Sequence, residues 1–181
     1  DRTVFEHAKI LRDHGMSPNL KYWHNHVGFN YRLTNLQAAV GVAQMERREN
    51  IFSSKLRIAA LYTKTLEGAP WISKLQPKIP RTIHSSWLYT VLLDKKINRD
   101  SVITELLKYG IESRPVFYPL HMMPPYKKFL KSMSLQISMK SSSRGISLPS
   151  SVRMSEDEVI YTARRLKEVL SKIQANGFDE G

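Results

Sequence analysis

Residues 27–46, VGFNYRLTNLQAAVGVAQME, carry the change of pattern from which the rest of the chain is read. The first half is aromatic, polar and without period, whereas the second is built of good helix formers. Thr34 and Asn35 both suit an N-cap, because a short side-chain oxygen there accepts an amide that the first helical turn leaves unpaired. From that cap the helical pattern runs through ERREN to Gly68. Leu36, Ala39, Val40 and Ala43 make one apolar stripe, and Leu56, Ala59, Ala60 and Leu66 make another, so the spacing predicts one long bent helix or two in sequence. About 30 residues at a rise of ~1.5 Å would span ~45 Å, a length suited to an element linking two lobes. Gly41 within it marks a flexible spot or a point of close packing.

Upstream, FEHAKILRDHG places Phe5, Ala8 and Leu11 at helical spacing and ends on Gly15, which predicts a short helix. SPNLKYWHNHVGFNYRLTN then predicts an ordered loop packed by its own rings. Downstream of Gly68, SSWLYTVLL reads as a buried strand, rich in aromatic and β-branched residues. NRDSVITELLKYG predicts a helix capped by Asn98, with Val102, Leu106 and Leu107 inward and Gly110 as terminator. IESRPVF predicts a second strand, its end confined by Pro115 to an edge or bulge. YPLHMMPPYKKF reads as a proline-punctuated loop with one short turn, KSMSLQISMKSSSRG as a Ser/Lys-rich mobile segment, and ISLPSSVRM as a short extended one. Ser155 and Glu158 form a capping box, and Val159, Ala163, Leu166, Leu170 and Ile173 make a continuous stripe along a final helix. The fold class expected is α/β, its C-terminal part a small α+β lobe with a few antiparallel strands and helices on one face. No internal repeat is visible.

With 181 residues, 41% of them hydrophobic, the chain is long enough for one core, or one core with an appended helical segment. No stretch approaches the roughly 20 apolar residues that span a bilayer, and the opening residues lack the apolar region of a secretory signal, so no membrane partner is expected. The chain opens at Asp1, without Met and directly on a helical pattern, which creates the expectation of a piece cut from something longer; processing would look the same. The absence of cysteine excludes a disulfide framework, a thiolate nucleophile and a zinc–thiolate site, and is compatible with cytoplasmic residence. Lys and Arg number 28 against 16 Asp and Glu, a formal charge of +12 that attracts anions in general. The basic residues are spread from Arg2 to Lys172 with no block of five, no zinc-finger spacing and no RNP-like aromatic set, so a nucleic-acid partner is not expected.

The stretch 27–46 resembles the G-x-N-Y-R-M-T-N-x-Q-A-A-x-G-x-x-Q-L-E signature of the DegT/DnrJ/EryC1/StrS sugar aminotransferases. RDHG ahead of KYWH, then GIESRPVFYPLHMMPPY, then ISLPSSVRMSEDEV follow in that family's order, so the resemblance covers nearly the whole chain. The GIESRP version looks especially like the perosamine-synthase branch, which aminates C4 of a nucleotide-linked 4-keto-6-deoxy sugar. The resemblance implies the C-terminal portion of a fold-type I, pyridoxal-phosphate-dependent aminotransferase, with long linking helices followed by a small antiparallel sheet. Residues 1–34 would be the tail end of the large cofactor lobe with a cross-subunit loop, 35–68 the linking helices and 69–181 the small C-terminal α/β lobe. In the family the lysine that carries pyridoxal 5′-phosphate lies upstream of the RDHG element, and no lysine here has a matching context. No catalytic residue is therefore expected in this chain, which alone should be inactive. Asn30 matches an asparagine that reaches across the dimer interface to the cofactor phosphate, where an amide donates without adding charge. Arg32 matches a basic residue near the substrate or its phosphates, and Tyr31 a packing residue of the same turn. Tyr118 and His121 match positions lining the sugar side of the site. The implied partners are a nucleotide sugar, glutamate as amino donor and a second copy in a homodimer, with the apolar face of residues 36–43 as a candidate interface.

Plainer readings stand beside these. Asn30 could simply satisfy loop backbone groups, Arg32 could be a surface ion-pair residue, and His121 a hydrogen-bonded structural histidine. His24 and His26 are spaced as metal ligands on a strand would be, but no third ligand is evident and no metal is expected. Met122, Met123 and Pro124 read as packing residues, and Glu156, Asp157 and Glu158 as complements to a helix N-terminus. Two rival functions remain open: a pyridoxal-phosphate-dependent sugar dehydratase of the same fold, in which histidine replaces the lysine, and a non-catalytic anion- or nucleic-acid-binding domain. An exposed apolar surface near residues 36–66, covered by self-association, is also expected.

Overall fold

In the computed structural model, which describes residues 1–77, 79–129 and 135–176, Asp1 caps helix α1 (Arg2–Arg12) by accepting from the amides of Thr3 and Val4. Thr34 caps α2 (Asn35–Glu46) through a full capping box with Gln37. At Arg47 the chain leaves the helical path and α3 (Arg48–Leu66) follows, so the long helical pattern resolves into two helices in sequence. The chain divides into two units, residues 1–48 and 49–181, and one of these two helices falls in each, apart from Arg48.

The second unit is built on a four-stranded antiparallel sheet of β1 (Ile72–Lys74), β2 (Tyr89–Leu93), β3 (Arg114–Pro115) and β4 (Gly145–Leu148), in the order β1-β2-β4-β3. In β2 the side chains of Tyr89, Val91 and Leu93 are buried while Thr90 and Leu92 are partly open, the alternation that a pleated strand requires. ISLPSSVRM supplies more than a short extended segment. Its β4 residues are all buried and pair with β2 on one side, Tyr89 opposite Leu148 and Leu92 opposite Gly145, and with β3 on the other. Of IESRPVF only Arg114 and Pro115 join the sheet, at its edge, where the missing proline N–H is not needed.

Helix α4 (Arg99–Lys108) is capped by Asn98, whose Oδ1 accepts from the amides of Asp100 and Ser101. Val102 and Leu106 are buried as expected, but Leu107 is 62% exposed, because a residue one step past an i, i+4 pair points about 100° away. A second correction concerns the Ser/Lys-rich segment. Residues 136–144 of it form helix α5 (Gln136–Arg144), while residues 130–134 lie outside the described residues. Ile137 and Met139 of α5 are exposed, and the helix is held instead through buried Ser142, whose carbonyl accepts from Arg99 Nη1. The proline-punctuated segment contains two 3-10 turns, Leu120–Met122 and Pro124–Phe129, rather than one. The final helix α6 (Glu156–Asn176) starts at the expected capping box, and Val159, Ala163, Leu166 and Leu170 are buried along it with Ile173 packed at the margin.

One core cluster joins α3, β2, α4, β4 and α6, and all its residues lie between Ile58 and Leu170. From α3 it takes Ile58, Tyr62 and Leu66, spaced four apart, whereas Leu56 and Ala60 face outward and Ala59 sits at the margin. The stripe read from the sequence was displaced because it passed over the aromatic Tyr62. The Tyr62 ring stacks on Tyr89 at 4.9 Å, and its hydroxyl donates to the Pro149 carbonyl at 2.8 Å. In the first unit the only buried residue is Gly15. Leu36, Val40, Val42 and Met45 of α2 are all exposed. No helix among the described residues is long and apolar enough to cross a membrane.

Candidate functional site

The loop between α1 and α2 was expected to be packed by its own rings, and this is corrected by its exposure: Tyr22, Trp23, Phe29 and Tyr31 are each at least 60% exposed. What orders the loop is backbone hydrogen bonding. A helix leaves its last carbonyls without intrahelical partners; here the Leu11 carbonyl accepts from Phe29 N at 3.1 Å and the Arg12 carbonyl from Tyr31 N at 2.9 Å. His14 N returns a bond to the Phe29 carbonyl at 3.0 Å, and Asp13 bridges Asn30 in the antiparallel sense. Two glycines make this crossing possible. Gly15 has φ +69°, and a Cβ on it would lie 2.0 Å from the His26 carbonyl oxygen; a Cβ on Gly28 would lie 2.3 Å from Gly15 N.

Asn30 and Arg32 are neighbours in one turn of the loop, and the crossing brings Arg32 to Asp13. The Asn30 Oδ1 accepts from the Arg32 backbone N at 3.2 Å, a local turn bond that commits the oxygen and leaves the NH₂ group as donor. The Arg32 Nε lies 3.5 Å from Asp13 Oδ1, which also receives His14 Nδ1 at 3.0 Å. The hydrogen bond from His14, followed by the positive charges of Arg32, His14 and Arg12, holds the Asp13 carboxyl below its usual value despite an opposing desolvation. Asp13 is thus the organising carboxylate of the loop and was missed by sequence reasoning. Its one signal was the position between Arg12 and His14 in RDHG.

Tyr118 and His121 lie in the second unit, Tyr118 between β3 and the first 3-10 turn and 58% exposed, His121 within that turn and half-buried. They occupy one short segment, three residues apart. His24 uses Nδ1 against the His14 carbonyl at 2.9 Å, and His26 packs edge-on against the His7 ring at 5.2 Å. Among the described residues no group of three or more His, Cys, Asp or Glu is gathered as a metal site would require.

A family model described as the DegT/DnrJ/EryC1/StrS aminotransferase family matches residues 1–167. The GDP-perosamine synthase of Vibrio cholerae is 40% identical over 158 residues, which are 86% of this chain and 42% of that protein. The chain therefore spans less than half the length of this curated relative. Among solved structures, the aminotransferase TlmJ from Streptoalloteichus hindustanus superposes with a TM-score of 0.85 at 20% identity, over 96% of this chain and 46% of that one. Spr1654 from Streptococcus pneumoniae, solved in a PLP form, gives a TM-score of 0.77 at 24% identity, over 96% of this chain and 45% of that one. At these identities the structural likeness establishes the fold.

Proposed function

The chain belongs to the DegT/DnrJ/EryC1/StrS aminotransferase family, and from that premise we propose that it forms the C-terminal part of an enzyme that moves an amino group from glutamate to the keto carbon of a nucleotide-linked 4-keto-6-deoxy sugar. The observation that carries this reading is the pinned loop, which presents the Asn30 NH₂ and the Arg32 guanidinium from neighbouring positions. A neutral donor beside a cation suits a place where the phosphate of pyridoxal phosphate and a phosphate of the substrate come close, and the carboxylate next to Arg32, Asp13, is already engaged by His14 and Arg32.

Pyridoxal phosphate is the cofactor of this family and, when bound, supplies the electron sink through which an amino group is exchanged. In our reading this chain binds and orients. Asn30 donates to the cofactor phosphate in the site of a second copy, and Arg32 holds a phosphate of the nucleotide sugar. The Tyr118 hydroxyl and the His121 ring offer hydrogen bonds to the sugar. The lysine that carries the cofactor is taken to lie outside these residues, so the chain alone is expected to be inactive. The working enzyme is a homodimer in the cytoplasm, with residues 1–34 belonging to the cofactor lobe, 35–68 to its linking helices and 69–181 to the small lobe.

A chimera joining this chain to the remaining half of the Vibrio cholerae relative tests the reading. Cofactor retention, followed by visible absorbance, and glutamate-dependent amination of the sugar are both expected. Asn30→Ala should weaken cofactor affinity by about 10- to 100-fold, the range of one lost hydrogen bond to a charged group. Failure of the chimera to retain the cofactor, or unchanged cofactor affinity in Asn30→Ala, would overturn it.

A further inference from the structure

In the second unit, the turn before α4 and the last turns of α5 enclose a concavity of about 510 Å³. Its charged lining is Lys95, Arg99, Asp100, Lys140 and Arg144, four cations and one carboxylate. The carboxylate is already committed: Asp100 Oδ1 receives Arg99 Nη2 at 2.7 Å and Nε at 2.8 Å. The Arg99 side chain is only 7% exposed and its Nη1 donates to the Ser142 carbonyl, which fixes α5 against the start of α4. The concavity thus has at its floor the buried Arg99, its charge balanced by the exposed carboxylate of Asp100. Lys95, Lys140 and Arg144 surround it, and among the described residues none of the three is in an ion pair. Arg144 Nε is turned back to the Lys140 carbonyl at 3.4 Å, which leaves the terminal nitrogens of its guanidinium.

Two simpler explanations account for only part of this. A cation in the last turn of a helix complements its carbonyl end, which covers Arg144 but neither Lys140, in the middle of α5, nor Lys95, contributed by a different element. The N-terminal amides of α4 are not the source of anion affinity either, since Asn98 occupies those of Asp100 and Ser101. The only other acid of the turn, Asp94, accepts from the Lys96 amide. Like charges drawn around one concavity repel one another, a cost that a bound anion removes.

We propose that this concavity is a binding site for a phosphate-bearing anion. Its volume lies within the range of small-molecule sites, a guanidinium offers two-point contact to phosphate oxygens, and two ammonium groups add point charges from separate elements. The shared chemistry is the phosphate group, carried either by an inorganic ion or by a nucleotide.

The test is an amide-resolved NMR titration of the 181-residue chain with pyrophosphate at about 0.1 M salt, repeated with a nucleoside diphosphate. Saturable shifts at Lys95, Ser143 and Arg144 are expected, with a dissociation constant of about 1 mM or tighter. Lys95→Ala/Lys140→Ala should weaken binding at least about tenfold, and Lys74→Ala, an exposed lysine on β1, should not. If the double variant fails to fold, Lys95→Gln in the exposed turn carries the same expectation. A nucleoside diphosphate that binds more than about tenfold tighter than pyrophosphate identifies a nucleotide ligand, and equal affinities identify the phosphate group alone. Absence of saturation, shifts spread over all basic surfaces, or binding unchanged in the lysine variants would overturn the proposal.

Discussion

At Gly28 there is no room for a methyl group. A Cβ there meets Gly15 N at 2.3 Å and the Leu11 carbonyl at 2.8 Å, backbone atoms that cannot swing aside. Gly28→Ala is therefore expected to open the crossing at a cost of about 1–3 kcal/mol, read as faster hydrogen exchange at the Phe29 and Tyr31 amides. Asp13 sets a second expectation. Its folded pKa is depressed, chiefly by the His14 hydrogen bond, so its stabilisation is present above the ordinary value of 3.8 and is lost as pH falls through the folded value. The NMR shift of the Arg32 Nε–H should report protonation of Asp13 only in solution more acid than about 4; in Asp13→Asn that acid transition should vanish. Asn30 and Arg32 could be singled out as candidates in the sequence because residues resembling the family signature surround them. Asp13 could not, since an acid between Arg12 and His14 reads as a solvated charge until the crossing brings Arg32 to it.

Among the elements, α3 shows how a local pattern and its tertiary use diverge. Its core face includes Tyr62, whose burial pushes the phenol up to about 12, ahead of a smaller contribution from Tyr89. A raised folded pKa means stability is complete below the unfolded value of 10 and declines as pH rises towards 12. Tyr62→Phe should cost about 1 kcal/mol at neutral pH through the lost bond to the Pro149 carbonyl, yet shift the alkaline unfolding midpoint upward. Circular dichroism against pH checks both, and an unchanged alkaline midpoint would contradict the assignment. On the same helix Lys55 Nζ donates to the carbonyls of Trp87 and Ser150, next to the ends of β2 and β4. Lys55→Met is expected to destabilise the second unit by about 1–3 kcal/mol, measured by urea unfolding, because two carbonyls lose their donor. The capping box at Ser155 was legible, and Thr34 was one of two caps the sequence offered for α2, since capping needs only four consecutive residues. Helix α5 was not legible, because Arg99, 43 residues away, supplies the contact that holds it.

Over the whole molecule, burial is uneven: the core cluster lies entirely between residues 58 and 170, and residues 1–48 bury only Gly15. Limited proteolysis should accordingly cut within residues 16–33 before it cuts β2, β4 or α6, and the reverse order would contradict this division. The exposed apolar residues of α2 are expected to drive self-association, which Leu36→Lys/Val40→Lys should reduce in sedimentation without loss of helix content. Family, the final amphipathic helix, its cap and, within SSWLYTVLL, the strand Tyr89–Leu93 could be read from the chain alone, because each depends on neighbours within a few residues or on a motif kept in order; residues 85–88 fall outside that strand and Trp87 is exposed. Which face of α3 is buried, that β4 lies between β2 and β3, and that Asp13 meets Arg32 were decided only by folding. These depend on partners distant in sequence, and an apolar or charged residue carries no local sign of which distant surface will reach it.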